Sequence, residues 1–254
     1  MYSAPSNARL YGLFAASDPP NPPFIVTTER TTSTPAVVRV KLLRRNMSGQ
    51  LSLVQSITLE ELETYCWASF ASASNGSVFC ALYYSKSLHE LCRAPLSPAA
   101  PFATKAHRLP DNIQYICGLQ CAGEQRLVAS FADDSVRVYR LIDGALSEVQ
   151  RLPSPTSDWT PRTLVGLSDG GICICSRFQD PTDATIKYAI DLSAADASGT
   201  LSVPRRLAQF TNGVQVWCHL RPPDASDGSH RIIVAEYLNR TTVVALRVFA
   251  FQQD

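Results

Sequence analysis

The stretch Arg126–Leu152, RLVASFADDSVRVYRLIDGALSEVQRL, decides the fold of this chain. Two apolar runs, RLVASF and SVRVYRL, flank the short polar break Ala132-Asp133-Asp134. Runs of this length, rich in β-branched and aromatic residues and bounded by turn residues, predict β-strands. Asp143-Gly144 then separates the second run from a more polar one, Leu146–Leu152, and is a strong hairpin signal. The stretch therefore predicts three consecutive antiparallel strands.

The same two-run hairpin recurs along the whole chain. Its five copies are Phe24–Leu43, Val78–Cys92, Leu127–Leu141, Ile172–Leu192 and Ile232–Phe251. An apolar segment precedes each copy, and four copies are followed by a more polar strand. These polar strands are Leu51–Leu59, Lys105–Leu109, Leu146–Leu152 and Leu201–Phe210, whereas the chain ends at Asp254 after the fifth hairpin. Each repeat is long enough for four short strands, and a repeat of this period indicates an array of small sheets.

The whole chain resembles the β-propeller superfold, and is most similar to divergent WD40-type repeats. The resemblance rests on Arg126–Leu152 and its weaker echoes, although no repeat carries a Trp-Asp pair or a Gly-His pair. It implies an all-β fold, either a propeller or an incomplete arc of one, with about five four-stranded blades. We expect a single domain over residues 1–254. The expected blades are roughly 8–59, 64–109, 112–152, 162–210 and 213–254.

Glycine marks the first strand of three of the predicted blades. Gly12, Gly118 and Gly166 each precede a leucine. In a propeller the first strand of each blade lines the central channel, so small residues there allow neighbouring backbones to approach closely. The alternative is that each glycine marks an ordinary β-bulge. Helical signal is scarce: Thr58–Thr64, with a capping-box spacing, predicts a helix of at most two turns.

Composition restricts the class of partner. Apolar residues make up 45% of the chain and the formal net charge is +1. Nucleic-acid and membrane-surface binding need concentrated like charge, so neither is expected. No apolar run is long enough to span a membrane. The eight cysteines show no zinc-site spacing, and most lie in apolar strands, so they predict buried free thiols and an intracellular location, cytoplasmic or nuclear.

The chemistry-bearing residues form no recognisable catalytic set. The four histidines are isolated in the sequence, and no nucleophile motif or phosphate-binding glycine loop is present. We therefore predict no catalytic residue, no metal site and no cofactor, and a protein that is not an enzyme. The alternative is a channel-site hydrolase or a small-ligand-binding propeller that uses His219 and nearby acids.

The predicted function is binding of a protein or peptide on the face of the propeller that carries the hairpin turns. Trp and Arg dominate interface hot spots, and the loop Ser157–Arg162 contains one of each. The predicted partner-binding residues are Trp159, Arg162, Asp158, Asp133, Asp134, Tyr84 and Arg240. The alternative for Trp159 is that it packs onto the blade edge. Two further alternatives are considered. The chain could self-associate through exposed blade edges, or it could be the substrate-recognition portion of a larger multi-domain protein.

Overall fold

The computed structural model of the chain is all-β over the residues that it describes. These are residues 8–18, 21–31, 36–45, 48–62, 68–72, 77–92, 101–121, 123–153, 158–167, 170–211, 213–220, 230–238 and 242–251. They form nineteen strands and no helix, so this part of the chain has no helical segment that could cross a membrane.

The strands form five antiparallel sheets, and in each sheet the spatial order follows the chain order. The first sheet contains β1 (Ala8–Asp18), β2 (Asn21–Thr31), β3 (Ala36–Arg45) and β4 (Leu51–Leu62). The second contains β5 (Ala68–Ser72), β6 (Val78–Leu82), β7 (Ser87–Cys92) and β8 (Ala103–Arg108). The third contains β9 (Ile113–Cys121), β10 (Glu124–Phe131), β11 (Val136–Ile142) and β12 (Ala145–Leu152). The fourth contains β13 (Thr160–Gly166), β14 (Ile172–Gln179), β15 (Ile186–Ser193) and β16 (Arg205–Phe210). The fifth contains β17 (Gly213–Leu220), β18 (His230–Leu238) and β19 (Thr242–Phe251).

All five predicted hairpins are second-to-third strand pairs of these sheets, which confirms the repeat. The predicted turn at Asp143-Gly144 joins β11 to β12, with φ of 50° and 74°, as a type I′ hairpin turn requires. The predicted helical turn at Thr58–Thr64 is wrong through Leu62, because β4 continues there. Glu60 and Glu61 lie opposite Val38 and Val37 in the ladder with β3, and residues 63–67 lie outside the described part.

The chain divides into two compact units, Met1–Ile113 and Gln114–Asp254. In the first unit, Val26, Val38, Val40 and Leu42 of the first sheet are buried against the second sheet. All five residues of β6 are buried. The assignment of residues 1–254 to one domain stays a prediction.

In the second unit, β14 is buried on both of its faces. Ile172 and Ile174 pack into a cluster with β9, β10 and β11, whereas Cys173 and Cys175 pack into a cluster with Ile232 and Val234 of β18. Side chains alternate along a strand, so a continuous apolar run supplies both clusters at once. This explains why the middle strands read as uninterrupted apolar segments.

The innermost strands β9 and β13 approach each other through glycine. A Cβ atom added at Gly166 would lie 2.0 Å from the carbonyl oxygen of Gly118. No side chain fits at that separation, so glycine is required because of the close backbone contact. The predicted close approach of first strands is confirmed for this pair.

Two glutamines connect neighbouring sheets through the same geometry. In the first unit, the Gln55 amide donates to Phe102 O and accepts from Phe102 N, both at 2.8 Å. In the second unit, the Gln150 amide donates to Leu201 O at 2.7 Å and accepts from Leu201 N at 2.9 Å. We call these two contacts the glutamine clasps. Each joins a fourth strand to the backbone just before the fourth strand of the next sheet.

The two clasps also share their place in the ladder. Gln55 lies opposite Leu42, and Gln150 lies opposite Val138. Both of these third-strand residues are buried and face the next sheet, and an irregularity in the register follows each pair. The clasps are therefore a repeated structural device.

Replacing Gly166 with alanine is expected to lower the free energy of unfolding by about 3 kcal/mol, the upper part of the range for overpacking, because the new Cβ meets backbone that cannot turn away. Gly123→Ala is the matched control: Gly123 has φ of 76° but no heavy atom near the added Cβ. It should cost about 1 kcal/mol, from backbone conformation alone. Urea unfolding followed by circular dichroism measures both. Equal losses would contradict the close-approach interpretation.

Replacing Gln150 with alanine is expected to lower the free energy of unfolding by about 1–3 kcal/mol, because the buried backbone of Leu201 loses both hydrogen-bond partners. The control is Gln179→Ala, at an exposed position at the end of β14. This change should alter the free energy of unfolding by less than about 0.5 kcal/mol. Hydrogen exchange of the Leu201 amide gives a local readout. An unchanged exchange rate there would contradict the clasp.

Candidate functional site

The directions of the strands determine which turns share an end of the second unit. The Cys121 thiol, at the end of β9, donates to Gly170 O at 3.2 Å, and Gly170 lies just beyond the end of β13. The carboxyl ends of β9 and β13 therefore lie together, and the two strands are parallel. Successive strands of a four-stranded meander run in opposite directions. The turn between the second and third strands therefore lies at the same end as the start of the first strand, and opposite to the carboxyl ends of β9 and β13.

That opposite end collects the β10–β11 turn, the β14–β15 turn and the residues that lead into β13. We call it the turn end of the second unit. Its acidic residues are Asp133, Asp134, Asp158, Asp180 and Asp183. Five of the predicted partner-binding positions lie at this end: Asp133 and Asp134 in the β10–β11 turn, Asp158 and Trp159 just before β13, and Arg162 near the start of β13.

The β10–β11 turn is held by its own side chains. The carboxylate of Asp133 accepts from Ser135 N at 3.0 Å, from Ser135 Oγ at 2.5 Å and from Arg137 Nη2 at 2.5 Å. Arg137 also lies 4.5 Å above the centre of the Phe131 ring. Partial burial alone would raise the pKa of Asp133, but the bonds from Ser135 and Arg137 outweigh it and the pKa falls below the ordinary 3.8. The next residue, Asp134, has φ of 61°.

The β14–β15 turn repeats this arrangement. The carboxylate of Asp180 accepts from Thr182 N at 3.0 Å and from Thr182 Oγ1 at 2.6 Å, and these bonds lower its pKa. Asp183 accepts from Thr185 N at 2.8 Å and is exposed. Both turns therefore present ionised carboxylates on backbone that local hydrogen bonds hold in one conformation.

Trp159 is buried, with an exposed fraction of 7%. Its ring stacks on Phe178, with 5.5 Å between centroids, and the Arg206 guanidinium lies 4.2 Å from the ring centre. Arg206 also donates to the fully buried carboxylate of Asp191 at 2.6 Å. The structure thus gives the indole a packing role within the fourth sheet. Whether Trp159 also binds a partner stays a prediction.

Tyr84 belongs to the first unit and to a different turn. It lies between β6 and β7 with φ of 66°, and 54% of its surface is exposed. Its backbone N–H donates to Ile113 O at 2.7 Å, and its ring contacts that of Tyr83 at 4.6 Å. Arg240, the remaining predicted position, lies outside the described residues.

The described cysteines are structural. Six are free thiols; five of them are buried and Cys92 is partly so, as predicted. Burial raises the pKa of Cys117 to about 12, and burial raises the pKa of Cys173 well above its ordinary value. Thiols of this kind are protonated at neutral pH and are poor nucleophiles. They contribute to the core as small apolar groups.

One buried polar pair lies in the second sheet. His107 Nε2 is 2.7 Å from a Glu90 carboxylate oxygen, and both side chains are almost fully buried. Within the described ranges, no group of three His, Cys, Asp or Glu residues is arranged to hold a metal ion. The structure describes the backbone of His219, in β17, but not its side chain.

Sequence reasoning missed the glutamine clasps and the Arg206–Asp191 pair. A weak signal for the clasps exists, because Val-Gln occurs in both fourth strands, at Val54-Gln55 and Val149-Gln150. The Arg206–Asp191 pair has no such signal, since it depends on which residues become neighbours across β15 and β16.

Comparison with known proteins shows likeness in structure without likeness in sequence. The sequence matches no protein-family model and no curated protein. The crystal structure of Raptor from Chaetomium thermophilum matches 99% of this chain, with a TM-score of 0.54 and 14% identity. This chain covers 20% of that Raptor chain. A crystal structure of a protein from Lactobacillus plantarum matches 98% of this chain and is itself covered to 86%, with a TM-score of 0.53 and 8% identity.

At these identities the likeness shows the fold alone. Together with the repeated four-stranded antiparallel meanders, it places the chain in the β-propeller class. The described residues form four four-stranded sheets and one three-stranded sheet. The predicted fold class is confirmed, whereas the finer assignment to WD40-type repeats stays a prediction.

Replacing Trp159 with alanine is expected to lower the free energy of unfolding by about 3–5 kcal/mol, because a buried aromatic ring and its stacking partner are lost together. The matched control is Tyr84→Ala at an exposed aromatic site, which should cost less than about 0.5 kcal/mol. Thermal unfolding of both variants separates the two cases. Wild-type stability of the Trp159 variant would contradict the packing role.

Proposed function

We propose that this protein is a non-enzymatic scaffold that binds a protein or peptide at the turn end of the second unit. The observation that carries the proposal is the parallel direction of β9 and β13, seen in the contact of Cys121 with Gly170. It brings two hydrogen-bonded turns and the entry to β13 to one end of the unit. Binding residues are often found on loops that a rigid scaffold positions, and this arrangement has that form.

The chemistry of the turn end favours a basic partner segment. The two turns present Asp134 and Asp183 beside the carboxylates of Asp133 and Asp180. The turns themselves, residues 132–135 and 180–185, carry these four acids and no basic residue, whereas Arg137 and Lys187 on the flanking strands each pair with one of the acids, at 2.5 Å and 3.5 Å. A segment that carries Arg or Lys would be attracted to this surface and oriented by it. Because the turns are already ordered, binding would cost little additional conformational entropy.

Cysteine chemistry supports an intracellular setting for this scaffold. Six described cysteines are free thiols, a state that a reducing compartment maintains. We include cytoplasmic or nuclear location in the proposal on that basis. Expression of a tagged chain in its source cells, followed by fractionation, would test the location.

The test of the binding proposal is affinity purification from extracts of the source cells with charge-reversed turns. Asp134→Arg and Asp183→Arg are expected to lose the proteins that the wild-type chain retains, and the loss should be mimicked by raising the salt concentration. The matched control is Asp143→Arg: Asp143 is exposed, has φ of 50° and lies in the β11–β12 turn at the other end of the unit.

The pattern across the variants decides the outcome. Loss with both turn variants and retention with Asp143→Arg supports binding at the turn end. If all three variants retain the same proteins as the wild-type chain, the turn end is not the binding surface. Circular dichroism of each variant confirms that the fold is intact before the comparison is made.

A further inference from the structure

The two acidic turns of the second unit follow one sequence pattern. A phenylalanine lies at or near the end of the second strand, an aspartate follows two residues later, and a hydroxyl residue follows two residues after the aspartate. These residues are Phe131, Asp133 and Ser135 in the third sheet, and Phe178, Asp180 and Thr182 in the fourth. The second residue of the next strand is basic in both sheets, Arg137 in β11 and Lys187 in β15. Both turns therefore contain the same three groups: a carboxylate, an aromatic ring and a cation.

In the third sheet, an arginine of the chain itself fills the space between carboxylate and ring. Oδ1 of Asp133 accepts from Ser135, and Oδ2 accepts from Arg137 Nη2 at 2.5 Å. The Arg137 guanidinium also lies 4.5 Å from the centre of the Phe131 ring, and its side chain is only 5% exposed. A guanidinium is planar, so it can donate to a carboxylate and stack on an aromatic ring at the same time. The third sheet thus shows that this arrangement suits a guanidinium.

The equivalent lysine of the fourth sheet is held more loosely. Oδ1 of Asp180 again accepts from the hydroxyl residue, Thr182, and Oδ2 again lies toward the cation. The ammonium of Lys187, however, is 3.5 Å from Oδ2 and 5.8 Å from the centre of the Phe178 ring, and its side chain is 34% exposed. An ammonium is strongly hydrated and cannot stack as a guanidinium does. Because exposed ion pairs contribute little to stability, a better cation can displace Lys187.

The other two groups of the fourth-sheet site are fixed in position. Trp159 stacks on Phe178 with 5.5 Å between the ring centroids, and the Arg206 guanidinium lies 4.2 Å from the centre of the Trp159 ring. The bonds from Thr182 lower the pKa of Asp180, so its carboxylate is ionised at neutral pH. The ring and the carboxylate are therefore arranged before any partner binds, and little conformational entropy is lost on binding.

We propose that Asp180 and Phe178 bind an arginine side chain of the partner protein, which takes the place of Lys187. The inference rests on the proposed function, because it names the residue type through which the acidic turn end holds a basic partner segment. The partner's guanidinium donates to Oδ2 of Asp180 and stacks on Phe178, in the arrangement that the third sheet shows. Lys187 occupies the site in the free protein and moves into solvent when the partner binds.

One conservative substitution separates this site from general attraction between charges. If the acids acted through charge alone, Lys187→Arg would leave partner binding unchanged, because it preserves the net charge. In the proposed site the new guanidinium fills the space between Asp180 and Phe178 and excludes the partner's arginine. Lys187→Ala acts in the opposite direction, since it removes the internal competitor.

The test is a nuclear magnetic resonance titration of the full 254-residue chain with two capped peptides, Ser-Gly-Arg-Gly-Ser and Ser-Gly-Lys-Gly-Ser. We expect the arginine peptide to shift the Phe178 and Trp159 ring signals and to bind about fivefold more tightly than the lysine peptide. Lys187→Ala should strengthen binding of the arginine peptide about two- to fivefold, and Lys187→Arg should weaken it by a similar factor. The matched control is Lys105→Ala, at an exposed position in β8 of the first unit, which should leave the affinity unchanged.

Opposite effects of the two Lys187 variants, with an unchanged control, support the site. The proposal is overturned if neither peptide binds, if both bind equally, if the Phe178 and Trp159 signals do not shift, or if Lys187→Arg binds as the wild type does. The scaffold function is judged separately, in the affinity purification with charge-reversed turns. Loss of proteins with Asp134→Arg and Asp183→Arg but not with Lys187→Arg keeps the scaffold and rejects this site, whereas retention by all of these variants rejects both.

Discussion

The burial of the middle strands on both faces is the constraint on which the rest of this structure depends. A strand such as β14 supplies Ile172 and Ile174 to one cluster and Cys173 and Cys175 to another, so it is stable only between two other sheets. Burying these side chains contributes about 1.5–3 kcal/mol for each large aliphatic one. Each sheet therefore requires a neighbour, and the inner strands must come close enough that only glycine fits at Gly166.

This constraint decides where binding chemistry can be located. The core clusters are apolar and the buried carboxylates of Glu90 and Asp191 are paired, so binding chemistry is expected in the turns, the outer strands and the edges. The two acidic turns of the second unit illustrate the result: their carboxylates are held by Ser135, Arg137 and Thr182, all within four residues along the chain. Turns built from local bonds can change in sequence without disturbing the clusters beneath them.

Sequence reasoning succeeds where a feature is local and fails where it depends on neighbours across a sheet. The hairpins and the Asp143-Gly144 turn follow from apolar runs and turn residues, and both were predictable. The capping-box pattern at Thr58 is equally local, but pairing of β4 with β3 overrides it. The partners of Gln55 and Gln150 were not predictable, because Phe102 and Leu201 are distant along the chain. The packing of Trp159 could be stated only as an alternative, because it depends on Phe178 of another strand.

The contacts between neighbouring fourth strands show that the sheets are joined in more than one way. Two junctions are joined by glutamine clasps, whose hydrogen bonds satisfy a buried backbone amide and carbonyl. The junction at Ala208 of β16 relies on the edge-to-face contact of Phe210 with Phe249. An aromatic edge contact fixes the direction of its partners less strictly than a double hydrogen bond does. The repeat therefore joins its sheets with different degrees of directional constraint, and of these three junctions the one at Ala208 is the least constrained.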